Sequence, residues 1–301
     1  MCKLDVFILY PRVEYLRHFE ENAKKHDVIV LEGVESETFI KFLKGEVDIN
    51  EYLMELEVDF PLFTYHLYML AKKLHDCGFE VMVVDPYQSI SQEVRYMLVT
   101  NRVQELIDKR DPTIHYVIKL ESSIKRVLEE YHKALRERDF DKLVKLTIEY
   151  AKADAHRVKF RCMLRAKKIS ELFKLSNKRV IIQAHPFNEI IKDYLKSMVG
   201  CEIKYISVID LVSRELKIEI PPHPGVELTL NYVYGRKLNS QEEKLLAARS
   251  LLYVLLTPRT EYEPRPDNPY PYLKRELEVL KLVYSLSYDE CRDRYYRIFK
   301  K

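Results

Sequence analysis

The residues best suited to do chemistry are a glutamate, a histidine and a run of arginines. Glu32 closes the apolar run Asp27-Val-Ile-Val-Leu-Glu32, and His185 directly follows Arg179-Val-Ile-Ile-Gln-Ala184. Asp85 ends a third run, Glu80-Val-Met-Val-Val-Asp85, with Tyr87 two residues on. Tyr10 and Arg12 follow a further one, Asp5-Val-Phe-Ile-Leu-Tyr10. A carboxylate, an imidazole and a guanidinium gathered in one place suit proton transfer or hydrolysis: one group takes a proton, another returns it, and the cation steadies developing negative charge. Arg157, Arg161 and Arg165 stand four apart, so at about 100° per residue they form one stripe of a helix. Val158, Cys162, Leu164, Ile169 and Leu175 flank that stripe, and Lys152, Lys159, Lys167, Ser170 and Lys174 take the opposite, solvent arc. The arginines are therefore expected to point inward, with Arg161 meeting Glu32, Asp85 or an anionic ligand, since an unpaired buried charge costs several kcal/mol.

The elements that must position these residues follow from patterning. Continuous Val/Ile runs joined by helical stretches predict a mostly parallel sheet with helices on both faces, an α/β fold. In such sheets ligands lie in the crevice beyond the carboxyl ends of the strands, where Glu32, Asp85 and His185 fall. Helices are expected over Val13–Lys25, around Leu62–His75 and from Asn188 to Val199. A helical insertion over about 113–175 breaks near Arg138-Asp139. Beyond residue 200, Glu202–Ile209, Arg214–Ile220 and Glu227–Tyr234 read as strands, adding a mixed or antiparallel edge. Asn239 or Ser240 can cap a helix reaching Leu256. The expected organisation is an α/β domain over 1–257, a Pro-rich connector over 258–271, and C-terminal helices over 272–301 packed on the main domain. His185 precedes Pro186 and an expected helix amino terminus, whose positive end would keep the ring neutral near pH 7 and available as a base.

Composition excludes several classes. The chain has 301 residues, 50 Lys plus Arg against 47 Asp plus Glu, and a net charge of +3, a balance that argues against nucleic acid as the main partner. No apolar run approaches the ~20 residues of a membrane span, the amino terminus lacks a signal-peptide core, and the five cysteines are scattered. A cytoplasmic protein with reduced thiols is expected. Six glycines leave no GxGxxG or GxxxxGK[ST] loop. Charged residues at 32%, thirteen prolines and few glycines point to a thermophilic source.

The order of a strand-ending Glu, a helical Arg and a strand-ending His resembles the TraB/Tiki superfamily, which embraces TraB/PrgY proteins, erythromycin-esterase-like hydrolases and ChaN-type haem-binding proteins. The family's "vvlE" strand is similar to Val28-Ile-Val-Leu-Glu32. Its helical R-N-x-x-M-A-x-x-I pattern resembles Arg161-Cys-Met-Leu-Arg165-Ala-Lys-Lys-Ile169, where Arg, Ala and Ile fit and Asn and Met do not. Its G-x-x-H resembles Ile182-Gln-Ala-His185, keeping the His and losing the Gly, while Tyr10-Pro-Arg-Val13 stands where a first G-x-x-H is expected. The resemblance covers about residues 5–190. It implies a hydrolase in which Glu32 is a general base or metal ligand, His185 a second base or ligand, and a divalent metal a cofactor the site could take. Arg161 and Arg12 would steady an anionic substrate or oxyanion, with Asp85, Tyr87, Arg157 and Arg165 lining the site. The alternative is a non-catalytic module that binds a small molecule or peptide on the same scaffold; either form leaves room for a homo-oligomer.

Overall fold

The computed structural model describes residues 3–56, 58–173, 177–200 and 202–299. Lys174 and Leu175 of the expected helix faces, like Cys2 and Cys201, lie outside them. Five strands, β1 (Lys3–Ile8), β2 (Val28–Leu31), β3 (Glu80–Val83), β4 (Arg179–Ala184) and β5 (Glu202–Ser207), form one sheet of order β3-β2-β4-β1-β5. Every pairing is parallel. Helices α1 (Leu16–Ala23), α2 (Glu37–Lys44), α3 (Ile49–Met54) and α4 (Pro61–Asp76) precede β3. Between β3 and β4 come α5 (Pro86–Val99), α6 (Val103–Ile107), α7 (Pro112–Glu137) and α8 (Phe140–Phe173). The remainder are α9 (Ile191–Val199), α10 (Val208–Leu216), α11 (Pro224–Val233), α12 (Ser240–Leu256), α13 (Pro271–Ser285) and α14 (Tyr288–Ile298). The fold is α/β, a parallel sheet flanked by helices with a long helical insertion.

Local chemistry fixes most boundaries. Asp111 accepts from the amides of Thr113 and Ile114 to start α7, with Pro112 at the first helical position. Arg138, at φ 57°, turns the chain between α7 and α8. Asn239 and Glu242 form a capping box at α12.

Two expected strands do not form: one falls in helix α11, and the other spans the end of α10 and, over 218–220, no regular element. Residues 214–220 carry the end of α10, which Ser207 caps by accepting from the Asp210 amide, and which Lys217 terminates in the left-handed region. Residues 227–234 lie in and just after α11, started by Pro224 and burying Val226, Leu228, Thr229, Asn231 and Val233. Alternation over so few residues fits a buried helix as well as a strand. With these strands gone, the expected mixed or antiparallel edge is replaced by β5, parallel to β1.

The chain forms two compact units. Unit one comprises residues 1–86, 162–220 and 259–274 and contains the sheet, whose core is Leu4, Val6, Phe7, Val28–Leu31 and Val180–Ile182. Unit two comprises residues 87–161, 221–258 and 275–301 and is helical around Phe140, Leu143, Ala247, Leu251, Cys291 and Tyr295. Among the described residues no helix is long and apolar enough to cross a membrane.

Candidate functional site

The strand order places a crevice before any side chain is considered. From β2 the chain moves outward to β3, and from β4 it moves the other way to β5, past β1. Connections leaving the adjacent strands β2 and β4 thus part in opposite directions, the arrangement that opens a ligand crevice at the carboxyl edge. Glu32 and His185 occupy the two strand ends at that point.

Glu32 is the hub of unit one. Its Oε2 accepts the His185 backbone N–H at 2.9 Å, its Oε1 accepts from Asn188 Nδ2, and its own N–H donates to Gln183 Oε1 at 2.9 Å. Arg165 Nη1 stands 3.5 Å from Glu32 Oε2, with the two side chains 1% and 8% exposed. The same guanidinium donates through Nε to the Val84 carbonyl at 2.7 Å and through Nη2 to the Gln183 carbonyl at 2.8 Å. One cation therefore ties together the ends of β3, β2 and β4, using the planar fork that lysine lacks. Cys162, one helical turn before Arg165, directs its thiol to the Asn188 carbonyl and Oδ1 at 3.5 and 3.6 Å. Tyr68, on α4, walls the site: a Cβ on Gly33 would fall 2.9 Å from its hydroxyl oxygen. Burial, with the Glu32 charge nearby, pushes that hydroxyl's pKa up, against the effect of its bond to Tyr52.

His185 caps a single 3-10 turn, Pro186–Asn188, and the helix expected from about Asn188 starts at Ile191 as α9. Its Nδ1 accepts from the Phe187 N–H at 3.4 Å and its ring stacks on Phe187, which assigns the proton of the neutral ring to Nε2. The dipole argument for a helix at this position therefore does not apply. Arg12, past the end of β1, lies over the Tyr272 ring at 3.8 Å and the Phe60 ring at 4.8 Å and donates to the Tyr272 hydroxyl at 2.7 Å. Asp85 is buried one residue beyond Val84.

The remaining candidates belong to unit two. Tyr87 donates to Glu121 at 2.7 Å, and burial followed by that carboxylate pushes its hydroxyl pKa up. Arg157 donates to Asp154 at 2.8 Å; burial works against its charge, but Asp154, Tyr150 and Glu121 outweigh it and hold the guanidinium protonated. Arg161 is half-buried and adds positive charge near Tyr87. Of the arginine stripe, Arg165 is the member placed at Glu32 within unit one. Ser170, expected on the solvent arc, is buried and donates to the Lys167 carbonyl.

Sequence reasoning missed Gln183, Asn188 and Cys162. Gln183 carried a signal, being the one polar side chain inside an apolar strand; Asn188 carried none. The groups around Glu32 all present hydrogens: a guanidinium, an amide NH2 and a backbone N–H. Among the described residues no three His, Cys, Asp or Glu side chains gather where they could hold a metal ion. A divalent cation at Glu32 would face the Arg165 charge, and the residues present do not fit one.

No protein-family model matches the chain. No solved structure matches it. A curated protein of Archaeoglobus fulgidus bearing the description "Uncharacterized protein" is similar, at 24% identity over 290 residues that cover 96% of each chain.

Proposed function

We propose that the chain is a cytoplasmic small-molecule-binding or regulatory module whose ligand enters the crevice beyond the carboxyl ends of β2 and β4. The observation that carries this reading is the state of Glu32. Both of its oxygens accept from donors of the protein itself, Arg165, Asn188 and the His185 backbone, so the carboxylate holds the strand ends in place instead of awaiting a substrate proton. His185 likewise uses Nδ1 to fix its own turn.

A second reading, a TraB/Tiki-like hydrolase, is favoured by one observation: the strand-ending Glu and His of the resemblance meet directly, Glu32 Oε2 on the His185 N–H. A thermal-shift screen of small polar molecules, run beside a panel of ester, peptide and phosphoester substrates with and without Zn²⁺, Mn²⁺ or Mg²⁺, separates the two. The binding module gives a ligand that raises the melting temperature, with no turnover. Turnover that falls ~10²–10⁴-fold in His185→Asn would instead establish the hydrolase.

A further inference from the structure

The segment joining α12 to α13 has an assignment that the site itself does not supply. It runs from Thr257 to Tyr270 with no regular element beyond the bridge Arg265–Asn268, and residues 259–267 are largely exposed. Structureless connections longer than about 12 residues are uncommon in compact domains and are frequently covers of functional sites. Residues 259–274 belong to unit one.

Both ends of this segment are fastened at the carboxyl edge. Helix α4 leads into β3, so its amino terminus lies at that edge, and there Glu261 accepts the Leu62 and Phe63 amides, both at 2.9 Å. This is a carboxylate from a distant loop satisfying the orphan donors of a helix start. At the other end, Glu14, just past the exit of β1, accepts the Tyr272 and Leu273 amides at 2.9 Å, and Tyr272 stacks on Arg12. The two anchors differ in kind. Tyr270, Tyr272 and Leu273 are buried, whereas the Glu261 end carries the exposed His66–Glu263 contact at 3.2 Å and the Tyr262 ring, 6.5 Å from that of Tyr272.

We propose that residues 259–269 are a lid over the carboxyl-edge crevice, hinged at Tyr270–Leu273 and latched by Glu261 on the first turn of α4. The proposal rests on the reading of that crevice as a ligand site, but its test needs no ligand. The full chain and its Glu261→Gln variant are compared by hydrogen exchange and by the rate at which diethyl pyrocarbonate modifies His185, with exposed His156 as the control. Unlatching accelerates exchange of the 259–269 amides and of Leu62 and Phe63 together, about tenfold, with β1 and β4 unchanged. It also raises His185 modification several-fold relative to His156. Unchanged exchange in 259–269 overturns the latch, and unchanged His185 modification overturns the cover. Acceleration throughout unit one overturns both, making Glu261 part of the scaffold. Should Glu261→Gln fail to fold, a protease site inserted between Pro266 and Asn268 and then cut gives the same His185 readout, because exposed loop tips tolerate insertion. If the latch and cover hold while the ligand screen finds nothing, the binding reading fails and the lid does not.

Discussion

Arg165 and Glu32, 133 residues apart, meet at the carboxyl edge of the sheet with 3.5 Å between Nη1 and Oε2, and the rest of the guanidinium is spent on the Val84 and Gln183 carbonyls. The pair is a clasp across three strands. Its consequences are measurable.

Replacing Arg165 by Met strands the Glu32 carboxylate and two strand-end carbonyls, and should lower stability by about 3–5 kcal/mol. Arg165→Lys should recover only part, since an ammonium cannot reach three acceptors set in a plane. Urea unfolding checks both; a wild-type midpoint in Arg165→Met would contradict the clasp.

Asn188→Asp sets a second carboxylate against Glu32, where the amide NH2 now donates. The variant should lose roughly 2 kcal/mol or more, and the loss should grow as pH rises through the carboxylate range, because the unfolded chain carries the same two charges far apart. Adding Glu32→Gln to Asn188→Asp should remove that pH dependence. Melting temperatures across an acid-to-neutral series decide it.

Gly33→Ala should cost about 1–3 kcal/mol, because its Cβ would fall 2.9 Å from the hydroxyl oxygen of buried Tyr68. In a Tyr68→Phe background the same change should cost clearly less. A double-mutant cycle in denaturant gives the coupling; strict additivity would show that the hydroxyl is not the obstacle.

Burial, reinforced by Arg17, holds the His18 imidazole pKa below its ordinary 6.5, against the pull of Glu215 and Glu21. Between that lowered value and 6.5 the unfolded chain binds the proton and the folded chain does not. The His18 contribution is therefore complete above 6.5 and is lost as pH falls through this interval. Unfolding free energies at about pH 7.5 and about pH 5.5 should differ less in His18→Asn than in the parent chain. An undiminished difference would assign the slope to other groups.

The sequence by itself determined the parallel sheet, because a strand buried on both faces must be apolar along its whole length, and four such runs stand in β1, β2, β3 and β4. It also determined that a carboxylate and a histidine end β2 and β4, and where α12 begins, since a capping box is written in adjacent residues. Tertiary structure decided what depends on docking. Helical periodicity places Arg157, Arg161 and Arg165 on one stripe, but which of them stands over Glu32 depends on which turn of α8 reaches the sheet edge, and that is Arg165. The partners of Glu32 lie 133 to 156 residues away in the chain, beyond any local pattern. The stretch 227–234 alternates as a strand does, yet all but its last residue folds within α11, and of 214–220, also read as a strand, the first three residues end α10. Short alternation sets no period of its own, and burial in the folded chain makes the choice.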